Sequence, residues 1–156
     1  MNEVLCFKCP LGYIKICGKD DYLTEIKITD EELPTTDGVT EEMKKCQRQL
    51  EEYFEGKRKE FDLNLRFEGT PFRKKIWKIL LTVPYGKTAT YKDIAIAAES
   101  PKAVRAVGGA NHHNPFWIVV PCHRIIGSDG SLTGYGGGLW RKERLLALEK
   151  ENSCNN

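Results

Sequence analysis

"TYKDIAIAAESPKAVRAVGGANHH", residues 90–113, holds two short helical patterns joined by a tight break. Thr90 with Asp93 three residues later resembles a capping box, aspartate standing where glutamate is more usual, and starts the helix "YKDIAIAA". Ser100-Pro101 starts a second helix, "KAVRAVGGANHH", after only a couple of residues. Helices joined this closely read as a helix-turn-helix, the second being the candidate recognition helix. Its exposed inventory is small: Ala103, Ala106, Gly108, Gly109 and Ala110, with Arg105 the one long cation in the middle. Few of these side chains can reach base edges, so sequence-specific major-groove reading is poorly supported. A smooth face suits close approach to a groove or backbone without sequence choice; tight packing against another helix is the competing explanation.

Downstream, "NPFWIVVPCHRIIG" (114–127) sets a thiol, an imidazole and a guanidinium inside an apolar run that otherwise reads as a buried strand. Cys122 is either an ordinary buried residue, as free cysteines usually are, or a nucleophile beside its base. A thiol with a pKa near 8.5 supplies little thiolate at neutral pH, so a nucleophile needs a base and a group to orient that base. Adjacent side chains on a strand point opposite ways, so Cys122 and His123 cooperate only through a turn at Cys122 or a bridging water. Pro121 favours such a turn. Six of the 14 glycines follow, at 127, 130, 134, 136, 137 and 138. Gly127 to Gly130 reads as a turn, and "GYGGG" leaves backbone N–H groups open to a planar ligand. In the last helix, "LWRKERLLALEK", Leu139, Leu145, Leu146 and Leu148 face a core; Glu149 near its end is the best orienter for His123. Residues 151–156 read as a tail.

Upstream, Thr70-Pro71 opens a helix whose stripe is Phe72, Ile76, Ile79, Leu80 and Val83, ended by "PYG". The strictly alternating "FDLNLRF" (61–67) predicts a half-buried strand. Before it, Met43, Cys46, Leu50, Tyr53 and Phe54 follow the cap Thr40 at helical spacing and stop at Gly56. Three short apolar runs within residues 3–28, broken at Pro10–Gly12 and Lys19–Asp21, predict a strand meander. The expected fold class is α+β. A small N-terminal α/β domain with an antiparallel meander (1–68) precedes a mainly helical C-terminal domain with the helix-turn-helix (69–150).

At 156 residues, 40% hydrophobic and 29% charged, the chain has room for one good core or two small ones. No apolar stretch nears a membrane span and no signal-peptide pattern opens the chain, so a cytoplasmic protein without a membrane role is expected. The six cysteines are then expected to be reduced thiols. "CFKC" with Cys17 offers three thiols and no nearby histidine, too few for a closed zinc site, and no metal is expected. Residues 1–68 hold 11 Lys and Arg against 16 Asp and Glu, whereas the remainder holds 13 against 6. The basic second half suggests a polyanionic partner, although a solvated surface also fits.

"PCHR" at 121–124, with "NP" at 114–115, "SPKAVRAVGGA" at 100–110, "TGYGGG" at 133–138 and "KERLLALE" at 142–149, resembles the O6-alkylguanine-DNA alkyltransferases (methylated-DNA-protein-cysteine methyltransferases). The motifs keep their spacing from Thr70 to Glu149; the N-terminal half fits in layout only.

The resemblance implies direct, single-turnover repair of O6-alkylguanine in double-stranded DNA by irreversible alkyl transfer to Cys122. His123 takes the thiol proton through a water and Glu149 orients the imidazole. Asn114 braces the site, and Tyr91 gives a proton to N3 of the departing guanine and helps rotate the nucleotide outward. Arg105 fills the gap in the stack from a helix lying in the minor groove, with Ala103, Ala106, Gly108 and Arg124 also meeting DNA. Trp117, Ile125, Tyr135, Gly136 and Gly137 form the pocket, the Gly136 N–H serving O6. Trp117 is larger than the residue many relatives carry there, and leaves the accepted alkyl size open. No cofactor is implied, and a monomer is expected.

A non-enzymatic sensor of alkylated DNA and a helix-turn-helix regulator are rivals that would not need Cys122, His123 and Glu149 together. A cysteine hydrolase or redox enzyme would leave Arg105 and the helix pair unexplained.

Overall fold

The computed structural model describes residues 2–153, and the chain divides after Phe67 into two compact units. In the first, β1 (Glu3–Cys9), β2 (Gly12–Lys19) and β3 (Tyr22–Thr29) form an antiparallel meander in that order. Strand alternation sends Leu5, Phe7, Ile14, Ile16, Ile26 and Ile28 inward. A register shift at Cys17/Gly18 lets the bare Gly18 backbone meet Met43 of α1 (Glu41–Phe54). Thr40 caps α1 by accepting from the Met43 N–H, and Met43, Cys46, Leu50 and Tyr53 are fully buried. Gly56, at φ +76°, takes the chain out of the helix.

Residues 61–67 do not form the expected strand. Their exposure alternates as predicted, but the segment meets the sheet through a single parallel bridge, Leu65 to Leu23, with Leu23 N–H donating to Asn64 O and Arg66 N–H to Leu23 O. Side-chain hydrogen bonds replace a ladder: the Gln49 amide both donates to and accepts from the Asp62 backbone. Strand alternation puts Cys6 and Cys9 of β1 on opposite faces. Among the described residues no three His, Cys, Asp or Glu side chains gather as a metal site.

The second unit is mainly helical: α2 (Pro71–Leu80), α3 (Tyr91–Ala97), α4 (Val104–His112) and α5 (Leu139–Ser153). Thr70 caps α2, whose Ile76, Trp77 and Leu80 are buried. Trp77, absent from the predicted stripe, donates its indole N–H to Ala110 O at 2.8 Å and ties α2 to α4. The capping box of α3 is complete: the Asp93 N–H donates to Thr90 Oγ1 and the Thr90 N–H to Asp93 Oδ2.

Helix α4 begins at Val104 and not at Ser100-Pro101, which instead form a turn in which Ala103 N–H donates to Ser100 O. A two-residue parallel ladder pairs β4 (Ala89–Thr90) with β5 (Ile125–Ile126). It fixes the start of α3 beside the chain that leaves Cys122. Helix α5 runs through Ser153, past the expected start of the tail at 151; residues 154–156 lie outside the described residues. No helix among the described residues is long and apolar enough to cross a membrane.

Candidate active site

The apolar run before Cys122 is folded into turns rather than a strand. Asn114 does this: its amide N–H groups donate to Val120 O (2.8 Å) and Phe116 O (3.3 Å), and its carbonyl accepts from the Phe116 N–H (2.9 Å). One buried side chain thus satisfies backbone that a sheet would otherwise pair. Between the two carbonyls Ile118 sits at φ +73°, a costly conformation for a β-branched residue. Phe116, Ile118 and Val120 are fully buried, and this packing holds it there.

Past Pro121, residues Cys122–Arg124 form a single 3-10 turn in place of a strand, so Cys122 and His123 are not held to opposite faces. Both are closed off, Cys122 at 4% exposure and His123 at 0%. His123 Nε2–H donates to Glu149 Oε2 at 2.6 Å, because a carboxylate only accepts. Its Nδ1 is buried and has no hydrogen-bond partner among the described residues. This leaves a lone pair on Nδ1, the form a general base needs.

Burial pushes the Cys122 thiol up to about 11, and the Asn114 side chain and the Lys142 charge only partly counter it. The resting thiol keeps its proton at neutral pH. Burial also pushes His123 below its ordinary value against the pull of Glu149, so the imidazole rests neutral. Burial alone would raise Glu149. Hydrogen bonds from His123 and Arg124, with the Arg124 charge, instead hold it well below the usual carboxylate range. The permanent charge of Arg124 keeps that carboxylate ionised whichever state the imidazole takes.

Arg124 is a correction to the expected DNA contacts. Its guanidinium grips both Glu149 oxygens, Nε–Oε1 at 2.8 Å and Nη2–Oε2 at 3.0 Å, and donates to Val83 O at 2.7 Å. At 6% exposure it faces the interior, where a buried carboxylate demands a paired cation, and not a phosphate. The Gly86 N–H adds a bond to Glu149 Oε1 at 3.2 Å, so the "PYG" turn also holds this carboxylate.

The predicted core face of α5 is corrected as well. Leu139 is 49% exposed and Leu146 and Leu148 are half-buried, whereas Arg141, Lys142, Leu145 and Glu149 are buried. Helical spacing explains the choice: Lys142 lies seven residues before Glu149 and so shares its face. Lys142 was missed in the sequence although that spacing signals it. Its Nζ donates to Ile125 O (2.5 Å) and Thr133 O (2.9 Å). Asn111, on the inner side of α4, was also missed; its amide donates to Cys122 O at 3.4 Å.

The remaining predicted pocket residues are placed around this centre. Ile125 is fully buried behind the turn. Trp117, anchored by its indole N–H to Asn114 O, stands 5.4 Å from the Tyr135 ring and lies against Gly136 and Gly137. A Cβ on Gly136 would meet Trp117 Cζ2 at 2.8 Å, so glycine there permits the close approach. The Tyr135 hydroxyl is buried without a partner among the described residues, and burial with the nearby Cys122 keeps it protonated.

A cleft of about 480 Å³ is lined by Tyr91, Val104, Arg105, Gly108, His112, Gly134 and Tyr135. It brings together Arg105, Tyr91 and Tyr135, which lie far apart in sequence. Arg105 and Ala106 are exposed and Ala103, Gly108 and Gly109 half-exposed, so these residues of α4 present a smooth face with one long cation; Ala110, expected on that face, is instead fully buried, on the side where its carbonyl accepts from Trp77. His113 caps the helix by donating from Nδ1 to Gly109 O.

Residues 71–151 match the family description "6-O-methylguanine DNA methyltransferase, DNA binding domain", and residues 5–67 match "6-O-methylguanine DNA methyltransferase, ribonuclease-like domain". A methylated-DNA–protein-cysteine methyltransferase of Mycolicibacterium paratuberculosis is 47% identical, over 98% of this chain and 95% of the relative. The constitutive enzyme of that name from Bacillus subtilis is 43% identical over 96% of each. The crystal structure of the Mycobacterium tuberculosis O6-methylguanine methyltransferase superposes with a TM-score of 0.89 at 42% identity, over 97% of this chain and 94% of that one. A Mycobacterium tuberculosis homologue solved in complex with DNA gives 0.87 at 43% identity, over 94% and 92%.

Proposed function

Because the chain belongs to the methylated-DNA–protein-cysteine methyltransferase family and is an enzyme of DNA repair by alkyl transfer, we propose that it acts on O6-alkylguanine in duplex DNA and that Cys122 keeps the alkyl group. The observation that carries this reading is the buried turn at Cys122–Arg124, with His123 fixed by Glu149 through Nε2 and its Nδ1 left open.

The smooth face of α4 enters the minor groove, where small residues allow close contact and sequence is poorly read. The target carbon is inaccessible inside a stacked duplex, so the nucleotide is turned out into the cleft, at a cost of roughly a few kcal/mol. Arg105 fills the space left in the stack. Tyr135, Trp117 and the bare backbone of Gly136 and Gly137 receive the base, and the Gly136 N–H donates to O6.

His123 Nδ1 takes the thiol proton through a water. The sulfur attacks the alkyl carbon, a sulfur–carbon bond forms, and the carbon–O6 bond breaks with its electron pair left on guanine. Tyr91 supplies the proton that N3 takes up. Asn114 holds the backbone of the site and Lys142 offsets the charge of the thiolate. A thioether is a poor leaving group, so each molecule reacts once. The protein works as a monomer in the cytoplasm.

The test is the intact mass of the protein, with peptide mapping, before and after incubation with a duplex carrying one O6-methylguanine. One methyl on Cys122 per molecule, without turnover, is the expected result. Unchanged mass with tight lesion binding would make the protein a sensor.

A further inference from the structure

The Tyr91 hydroxyl stands 2.7 Å from Thr133 Oγ1, a contact between the first residue of α3 and the glycine-rich loop. Thr133 is held from its other side as well. Lys142, fully buried in α5, donates to the Thr133 carbonyl and to the Ile125 carbonyl in β5. The threonine backbone is therefore tied to the strand that leaves the Cys122 turn, although the glycines around it would let the loop wander. Its neighbours Gly134 and Tyr135 line the same cleft as Tyr91. We infer that Thr133 is a positioning residue for alkyl transfer, holding the Tyr91 hydroxyl at the cleft and donating its own O–H to that oxygen when Tyr91 gives up a proton. The inference rests on the reading of Tyr91 as the acid for guanine N3.

The step balances without another reactant. As the sulfur–carbon bond forms and the carbon–O6 bond breaks, the Tyr91 proton moves to N3 and leaves negative charge on Oη. Thr133 keeps its proton on Oγ1 and shares it as a hydrogen bond, and the proton that His123 took from the thiol later passes through water to Tyr91, which restores both groups. A hydrogen bond to an ionised oxygen is roughly twice as strong as one to a neutral oxygen. The contact thus strengthens as charge develops, which is the condition for accelerating the chemical step rather than binding alone.

Single-turnover methyl transfer from an O6-methylguanine duplex, measured beside lesion affinity, tests this with Tyr91→Phe, Thr133→Val, Thr133→Ser and the Tyr91→Phe/Thr133→Val double variant. Thr133→Val is expected to slow transfer about tenfold with unchanged affinity, the size of one lost hydrogen bond to a charged group. Serine should restore most of the rate, and valine should add nothing once Tyr91 is phenylalanine. A wild-type rate in Thr133→Val, failure of serine to rescue, or an undiminished valine effect in the double variant would each overturn the inference. Tyr91→Phe transferring at the wild-type rate would overturn the reading of Tyr91 itself.

Discussion

Nε2 of His123 lies 2.6 Å from Oε2 of Glu149, and neither side chain is exposed to solvent. The carboxylate also accepts from Nε and Nη2 of Arg124 and from the Gly86 N–H. Glu149→Gln removes the carboxylate these groups share and strands the Arg124 charge. The denaturant midpoint should fall by the equivalent of about 3–5 kcal/mol, the usual cost of breaking a buried pair from one side. Transfer should slow as the imidazole loses its fixed tautomer, and an unchanged urea midpoint together with an unchanged rate would refute the role.

Acid should destabilise the protein in two stages. The folded-state pKa of His123 is depressed, so below about pH 6.5 the unfolded chain binds a proton that the folded one refuses, and stability falls. Glu149 is also depressed. Its contribution is intact above the unfolded value of about 4.3 and is lost as pH drops towards the folded value. Urea midpoints measured from pH 8 to 3 should show both declines, and His123→Gln should remove the upper one while keeping the lower.

Cys122 is shielded and its thiol is pushed up to about 11. At pH 7.5 iodoacetamide should therefore label Cys122 far more slowly in the folded protein than in the urea-unfolded chain, where a thiol near 8.5 is free. Peptide mapping over a pH series should show folded-state labelling rising toward high pH. Cys122→Ser should bind a lesion duplex and gain no alkyl mass.

Two arginines should separate cleanly. Arg105 is exposed on α4, so Arg105→Ala should leave thermal stability unchanged and slow transfer from duplex DNA by at least about tenfold, since the cost of opening the stack is no longer offset. Arg124→Met should instead lower stability by about 3–5 kcal/mol, because it strands the Glu149 charge. Melting curves beside single-turnover rates distinguish the two; a stable, DNA-deficient Arg124→Met would restore Arg124 to the DNA face.

Features set by neighbours a few residues apart were legible in the chain. Thr40, Thr70 and the Thr90–Asp93 box cap helices because their oxygens reach N–H groups three residues on, and the meander follows from short apolar runs broken by turn residues. Where local and distant demands compete, the same rules misplaced structure. The alternating segment 61–67 found a single bridge in place of a ladder, and the Ser100-Pro101 pair became a turn ahead of α4.

The candidate site shows the same division. Its residue types and spacing single out Cys122, His123, Glu149 and Arg105, since their chemistry is written in the side chains themselves, and Tyr91 enters through the family resemblance. Only tertiary structure decided that Arg124 turns inward to Glu149, that Lys142 reaches across to Ile125 and Thr133, and that Asn114 folds an apolar run into turns. Burial makes a charge or an open carbonyl seek whichever partner the fold brings within reach, and that partner is fixed by packing between segments far apart in the chain, 41 residues between Arg124 and Val83 and 63 between Glu149 and Gly86.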